Sequence, residues 1–163
     1  MTNEIPITRR EFIRTGSIAA TAAATAPAIL LGSAPVTESD PVRVAQIGIG
    51  ARGRQLLRVL GSNPIVKVVA ICDVYKPHLR RGILPANNPD LKTYSSYFKM
   101  LEDSQIEAVI IATPDHWHEK MLLDCIAAGK DVYCEKGWTM SIASAKRMRK
   151  AVKDAGTVMQ LGH

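Results

Sequence analysis

A glycine-rich loop directly follows the first apolar run of this chain. The run Val42–Ile47 leads into the segment 48–53, which has the pattern Gly-x-Gly-x-x-Gly. In such a loop the first glycine permits a tight turn, the second lets the backbone approach a pyrophosphate, and the third lets the next helix pack closely. Free N–H groups at the start of that helix attract the phosphates. The loop therefore predicts a dinucleotide site formed by Gly48, Ile49, Gly50, Arg52 and Gly53.

A carboxylate stands where such a site needs one. The second apolar run, Ile65–Cys72, ends in Asp73. A carboxylate at the tip of this strand, about twenty residues after the glycines, is placed to accept hydrogen bonds from the ribose hydroxyls. The flanking strand, helix, strand and carboxylate together make the glycine pattern specific.

Strand and helix patterns alternate over residues 41–163, which predicts an α/β fold with a doubly wound parallel sheet of the Rossmann type. Strands are predicted near 42–48, 65–73, 91–94, 106–112, 131–134 and 157–161, and helices near 51–60, 96–102, from 113–115 to Gly129, and 141–155. Several prolines in residues 74–90 predict a broken helix and a loop. In the last helix the residues expected to point inward are Ile142, Ala145, Met148, Val152 and Ala155.

The first 34 residues have a different character. Arg9 and Arg10 precede Phe12 and an alanine-rich apolar stretch over residues 18–31, which is typical of a twin-arginine export signal. The stretch is too short and too interrupted to span a bilayer stably. We expect a signal peptide over 1–34 cleaved near Ala34, the twin-arginine translocase as a partner, and a periplasmic or otherwise exported protein. An alanine-rich amphipathic helix or a disordered tail is the alternative.

Composition narrows the class of protein. After residue 40 there are 18 basic and 11 acidic residues, a formal charge of +7. These charges do not cluster with aromatic residues, and the densest group lies on one face of the last helix, so a solvated face is expected rather than nucleic-acid binding. Cys72, Cys125 and Cys134 all lie in apolar runs and are expected to be buried thiols.

The segment His116-Trp117-His118 raises the question of a metal site, with Cys134 as a third ligand. Two histidines on one short turn are not a recognised zinc spacing, and no carboxylate or cysteine pair completes a set. We therefore expect no metal, a His118 that faces a cofactor and a His116 on the surface. Trp117 and Trp138 are expected to be packing residues.

Three further motifs carry a resemblance to a known family. They are the segments 112–118 (Ala-Thr-Pro-Asp-His-Trp-His), 128–136 (Ala-Gly-Lys-Asp-Val-Tyr-Cys-Glu-Lys) and 159–162 (Met-Gln-Leu-Gly). Together with the glycine loop and Asp73, they resemble the Gfo/Idh/MocA oxidoreductases over nearly all of the chain after residue 41. The resemblance implies an N-terminal NAD(P)-binding Rossmann domain over 41–163, hydride transfer between NAD(P) and a sugar, inositol or related polyol, and in some exported relatives action on glycosides.

The resemblance also assigns roles to residues. Asp73 would hold the adenosine ribose, and its charge would repel a 2′-phosphate, so NAD is expected over NADP; Lys76, Arg80 and Arg81 act against that preference. The residues implied to lie beside the cofactor are Thr113, Pro114, His118 and Glu135. Lys136 is the implied catalytic residue, which positions the substrate hydroxyl and helps its proton leave.

The chain departs from the family in two ways. The proline that follows the lysine is Gly137 here, and Trp138 replaces a small aliphatic residue, so the lysine is expected to be less firmly aimed. The second, C-terminal substrate domain, which builds most of the substrate pocket and the dimer contact, is expected to be absent. Alternatives are therefore a non-catalytic dinucleotide-binding module or truncated gene product, and a glycosidase that uses bound NAD for transient oxidation.

Overall fold

The computed structural model describes residues 40–163, and the predicted export signal lies outside them. The elements in chain order are β1 Val42–Ile47, α1 Ala51–Gly61, β2 Val66–Cys72, α2 Lys76–Ala86, β3 Lys92–Tyr94, α3 Tyr97–Leu101, β4 Ala108–Ile111, a 3₁₀ turn Asp115–Trp117, α4 His118–Ala127, β5 Asp131–Cys134, α5 Ile142–Ala155 and β6 Met159–Leu161. This alternation confirms the predicted α/β class.

The six strands form one parallel sheet with the order β3-β2-β1-β4-β5-β6. The order reverses at β1, because the chain first moves outward to β2 and β3 and then returns to add β4 on the other side of β1. Ligands bind at such a reversal, in the crevice outside the carboxyl ends of the strands. The predicted doubly wound Rossmann sheet is therefore confirmed, and the topology places the glycine loop after β1 at the crevice.

Two hydrophobic cores lie on opposite faces of the sheet. One contains Leu57 of α1 and Ala86 of α2. The other contains Met100 of α3, Leu122 of α4 and Met148 of α5. Because helices cover both faces, the central strands are buried and read as apolar runs without polar alternation. The cores hold the strand ends fixed, and the strand ends carry the candidate site.

The prediction of a broken helix over residues 74–90 is wrong, since α2 is continuous from Lys76 to Ala86. Pro77 lies in the first turn, where a missing N–H costs nothing. Pro85 lies in the last turn, and Asn87 then ends the helix in the left-handed conformation with φ +49°. Prolines therefore mark the two ends of this helix and do not interrupt its interior.

The other helices differ from the prediction in two details. The segment after β4 forms a 3₁₀ turn before α4 starts at His118. In α5, Ile142 is 77% exposed and Ala155 is also exposed, contrary to the prediction, while Ser144 and Met148 are buried. Met148 and Val152 lie against the core as predicted, and the buried residue of the first turn is Ser144, whose hydroxyl donates a hydrogen bond to Glu119.

Cys72, Cys125 and Cys134 are buried free thiols, as predicted. Burial is the main reason why the pKa of each is raised to about 12. Within residues 40–163, no helix is both long and apolar enough to cross a bilayer.

Candidate cofactor site

A cavity of about 730 Å³ opens at the carboxyl ends of β1, β2, β3 and β4. The glycine loop forms one wall with Gly48, Gly50 and Arg52. Asp73, after β2, and Thr113, after β4, lie on other parts of the lining. The lining is largely apolar with a few polar groups, which is typical of a site for an organic cofactor. The topology therefore brings the residues of separate sequence motifs to one place.

The glycine contacts test whether this cavity fits a dinucleotide. A Cβ at Gly48 would lie 2.5 Å from the carbonyl oxygen of Ala112, and φ there is +90°. A Cβ at Gly53 would lie 2.0 Å from the carbonyl oxygen of Gly48. A Cβ at Gly50 would meet nothing within 4 Å. The first and third glycines thus serve close packing, and the second leaves open space in the cavity beside the start of α1, where a pyrophosphate would lie.

A buried glutamine that belongs to none of the predicted motifs fixes this loop. Gln46 is fully buried in β1, and its Nε2 donates to the carbonyl oxygens of Gly48 at 3.0 Å and Gly53 at 2.9 Å. One side chain therefore joins the start of the loop to the first turn of α1. Its Oε1 has no hydrogen-bond partner among the described residues. The signal in the sequence was an uncharged polar residue within a strand that is predicted to be buried.

The Asp73 carboxylate lies on the cavity wall and already accepts three hydrogen bonds. Its Oδ2 accepts from the Ile49 N–H at 2.8 Å and lies 3.0 Å from His78 Nδ1. Its Oδ1 accepts from the Tyr75 N–H at 2.8 Å. A carboxylate has about four acceptor positions, so capacity remains for a ribose hydroxyl. Asp73 thus ties the glycine loop to the start of α2 as well as presenting an acceptor to the cavity.

Several lining residues were missed or misjudged from the sequence. His78, Tyr75 and Tyr97 line the cavity but belong to no motif. Trp117 was expected to pack, yet it is 42% exposed and lines the cavity. Trp138, by contrast, packs partly buried against the larger core, as expected. The position of Trp117 follows from the 3₁₀ turn, which sequence periodicity did not reveal.

Contrary to the expectation, His118 does not face the cavity. It is fully buried; its Nδ1 lies 2.8 Å from the carbonyl oxygen of Gly137, and its Nε2 lies 2.9 Å from that of Thr113. Both ring nitrogens are thus engaged by backbone, and the side chain joins the loops after β4 and β5. His118 is therefore a positioning residue in this structure, whereas His116 is exposed, as predicted.

Glu135 lies at the carboxyl end of β5 and is 4% exposed. Arg52 contacts its Oε1 through Nε and Nη2, both at 2.8 Å, and Tyr133 donates to the same oxygen at 3.1 Å. Burial acts to raise the pKa of Glu135, but the hydrogen bonds from Arg52, the Lys136 N–H and Tyr133 outweigh it and hold the pKa below its usual range. The carboxylate is therefore a charged group buried with an ionic partner.

Lys136 is exposed and follows Glu135 directly. Its backbone N–H donates to Glu135 Oε2 at 3.2 Å, and neither Lys136 nor Glu135 lines the cavity. Gly137 has φ +77°, and a Cβ there would lie 2.3 Å from Asp115 Oδ2. Proline, with φ fixed near −65°, does not fit this backbone, which explains the glycine at the family's proline position.

The structure thus brings Gly48, Gly50, Arg52, Asp73, Thr113 and Pro114 together on one cavity. The residues Ile49, Gly53, His118, Glu135 and Lys136 do not line this cavity. Among residues 40–163 there is no group of three or more His, Cys, Asp or Glu side chains placed to hold a metal ion.

Comparison with known proteins identifies the family. Residues 42–163 match the Gfo/Idh/MocA family model, described as an oxidoreductase family with an NAD-binding Rossmann fold. The chain is 38% identical over 136 residues to a glycosyl hydrolase family 109 protein of Stenotrophomonas maltophilia (strain K279a), covering 78% of the chain and 29% of that protein. It is 32% identical over 123 residues to the scyllo-inositol 2-dehydrogenase (NAD(+)) of Bacillus subtilis (strain 168), covering 74% and 35%.

Solved structures agree with the fold. The myo-inositol 2-dehydrogenase of Lactobacillus plantarum superposes with a TM-score of 0.68 at 28% identity, covering 76% of this chain and 36% of that one. The scyllo-inositol dehydrogenase of Lactobacillus casei with bound NAD(H) and scyllo-inositol has the same TM-score at 19% identity, which shows the fold alone. The chain spans about a third of the length of the curated relatives it matches. It belongs to the Gfo/Idh/MocA oxidoreductase family, and residues 42–163 are an NAD-binding Rossmann domain.

Proposed function

We propose that this chain is the cofactor-binding part of an exported, NAD-dependent oxidoreductase that acts on a sugar, a polyol or a glycoside. The observation that carries the proposal is the cavity that joins the glycine loop, Asp73 and Thr113 at the reversal point of the sheet. Membership of an oxidoreductase family supports the reaction class. The substrate class rests on relatives named as inositol dehydrogenases and glycosyl hydrolases.

The position of each residue at or near the cavity suggests its role in binding the cofactor or the substrate. Gly48 and Gly50, with the N–H groups that begin α1, hold the pyrophosphate, and Asp73 accepts from the adenosine ribose. Thr113 and Pro114 border the cavity on the β4 side, toward the nicotinamide half. Bound NAD would supply the acceptor for the hydride that leaves the carbinol carbon of the substrate. Lys136 positions the substrate hydroxyl, and its positive charge favours release of the hydroxyl proton.

The preference for NAD over NADP rests on the charge of Asp73. A 2′-phosphate would bring two negative groups together at the ribose, which costs free energy in a partly dehydrated cavity. Arg80 and Arg81, which weighed against this preference in the sequence, line a separate groove with Arg54 and Arg58 between α1 and α2. That groove shares no lining residue with the cavity, and this supports NAD.

A second candidate function is a glycosidase that uses bound NAD for transient oxidation. The 38% identity to a glycosyl hydrolase family 109 protein favours it, and a second protein of that name, from Shewanella baltica, is 32% identical over 110 residues. The readout that separates the two is net NADH. A dehydrogenase accumulates NADH in step with product, whereas a redox-cycling glycosidase releases sugar without net NADH.

Export through the twin-arginine pathway is part of the proposal and rests on residues 1–34 alone. A fusion of residues 1–41 to a fluorescent protein that folds before export tests it. We expect fluorescence in the periplasm and its loss when Arg9 and Arg10 are both replaced by lysine. Equal export of both fusions would contradict it.

Tryptophan fluorescence tests whether the cofactor occupies this cavity. NADH absorbs tryptophan emission, so binding should quench Trp117 on the cavity wall more than Trp138, which packs against the core. We expect Trp117→Phe to remove most of the quenching and Trp138→Phe to leave it. Quenching that survives Trp117→Phe unchanged would place the cofactor elsewhere, and no quenching in any variant would count against the proposed function.

A further inference from the structure

Glu135 connects the cofactor cavity to Lys136 without lining the cavity itself. Its two oxygens face different partners: Oε1 contacts Arg52, and Oε2 accepts the Lys136 backbone N–H. Because the carboxylate is buried and bonded on both sides, it has little freedom to move independently. One side chain therefore joins the Arg52 guanidinium to the backbone N–H of the lysine.

Arg52 is the member of this chain that reaches the cavity. It lies in the first turn of α1, lines the cavity beside Gly50, and its side chain is 47% exposed. Its Nε and Nη2 are directed to Glu135, while Nη1 has only a 3.4 Å contact with Gln55. A guanidinium has five N–H donors, so donors remain on the Nη1 side for an anion at the start of α1. A phosphate oxygen is the acceptor that such a planar fork binds well.

We propose that Arg52 and Glu135 form a relay that couples occupancy of the pyrophosphate site to the position of Lys136. This inference rests on the proposed function, since it takes a dinucleotide pyrophosphate as the ligand. Arg52 binds the pyrophosphate with the edge that Glu135 does not use. Glu135, held by the other edge, fixes the N–H of Lys136. Glu135 is thus a positioning residue, and the cofactor arranges the lysine before any substrate arrives. By linkage, the coupling acts equally in both directions.

ADP-ribose is the probe that isolates the relay. It carries the adenosine, the pyrophosphate and the distal ribose but no nicotinamide ring, and ADP, which also lacks the distal ribose, should produce the same response if that response passes through the protein. The measurement is the backbone amide resonance of Lys136 in the ¹⁵N-labelled chain during titration, with adenosine as the ligand that lacks phosphate. We expect ADP-ribose at saturation to shift this resonance and adenosine to leave it unchanged.

Three variants complete the test. Arg52→Met should bind ADP-ribose roughly tenfold more weakly and show no Lys136 shift at saturation. Glu135→Gln removes the charge but keeps the shape, and should abolish the shift while the affinity changes less than about threefold. Arg58→Met is the matched control on the same helix, since Arg58 forms no ion pair in residues 40–163; it should behave like the parent chain.

The outcomes separate the relay from the proposed function. A Lys136 shift that persists at saturation in both Arg52→Met and Glu135→Gln would overturn the relay while leaving cofactor binding intact. Binding of ADP-ribose without a Lys136 shift in the parent chain would overturn it as well. If neither ADP-ribose nor NAD binds to the parent chain, the proposed function fails together with the relay.

Discussion

Two segments of the molecule that serve one proposed reaction are held in place by different means. The glycine loop, residues 48–53, is fixed mainly by the close approach of backbone groups, by the buried Gln46 side chain from β1 and by the Asp73 carboxylate, which accepts the Ile49 N–H. The lysine segment, residues 135–138, is fixed by side chains that arrive from far along the chain. Glu135 meets Arg52 from 83 residues away, and Gly137 meets His118 from 19 residues away.

The difference shows what each segment tolerates. The glycine loop depends on the absence of side-chain atoms, so an added methyl group is the harmful change. The lysine segment depends on the presence of particular polar groups and one unusual backbone angle, so removing a partner or restricting the backbone is the harmful change. The predictions below test this contrast from the largest expected effect to the smallest.

The glycine loop provides a matched pair of substitutions. Gly53→Ala places a Cβ 2.0 Å from the carbonyl oxygen of Gly48, so the helix has to move away, and we expect a loss of about 3 kcal/mol or more in the free energy of unfolding. Gly50→Ala meets open space and should change stability by less than about 0.5 kcal/mol while weakening NAD binding. Urea unfolding and calorimetry measure both. Equal losses of stability would break the proposed division of roles between the two glycines.

Proline at position 137, the residue that the family has there, should destabilise the lysine segment. Gly137→Pro forces φ from +77° toward −65° and pushes atoms against Asp115, so we expect a loss of about 2 kcal/mol. Gly137→Ala can keep the positive φ and adds fewer atoms beside Asp115, so it should lower the free energy of unfolding by less than the proline. Thermal unfolding of the two variants checks the order. A proline variant as stable as the parent would contradict the observed backbone.

The thiols at the ends of β2 and β5 allow a comparison by pH. Burial raises the pKa of both Cys72 and Cys134 from 9.0 to about 12. A raised pKa means that the folded state retains the proton, so this contribution to stability is complete below pH 9 and is lost as the pH rises toward 12. Ionisation of each thiol in the unfolded state should lower the free energy of unfolding by about 1.4 kcal/mol per pH unit within that window. Cys72→Ala and Cys134→Ala should each remove a slope of that size from the free energy of unfolding between pH 10 and 11; unequal changes would show that the two strand ends differ in burial.

The smallest effect is expected at Tyr133. Its hydroxyl donates one hydrogen bond to Glu135 at 3.1 Å, while Arg52 supplies the charged contacts. Tyr133→Phe should therefore cost about 1 kcal/mol in stability and leave NAD affinity unchanged. Urea unfolding with calorimetry tests both parts. A large loss of NAD binding would mean that Tyr133, and not Arg52, organises this carboxylate.

The same contrast explains what the sequence could predict. The sheet, its order of elements, the glycine loop and Asp73 follow local patterns, since each depends on residues within one strand, one turn or one helix. Three features depend instead on how distant segments of the chain pack together. They are the position of Trp117 on the cavity, the hydrogen bonds of the buried His118 and the ion pair of Arg52 with Glu135. The prediction of a broken helix over residues 74–90 was wrong for another reason. The effect of a proline depends on its position within the helix, and the ends of helices are hard to predict from sequence.

Calorimetry of NAD and NADP binding to the chain and to Asp73→Asn tests the central claim most directly. Asparagine keeps the size of the side chain and removes the charge, and Asp90→Asn is an exposed control. We predict that the parent chain binds NAD at least about tenfold more tightly than NADP, and that Asp73→Asn lowers NAD affinity about tenfold and removes the discrimination. Binding of neither cofactor, or binding that Asp73→Asn leaves unchanged, would contradict the assignment of this cavity as the NAD site.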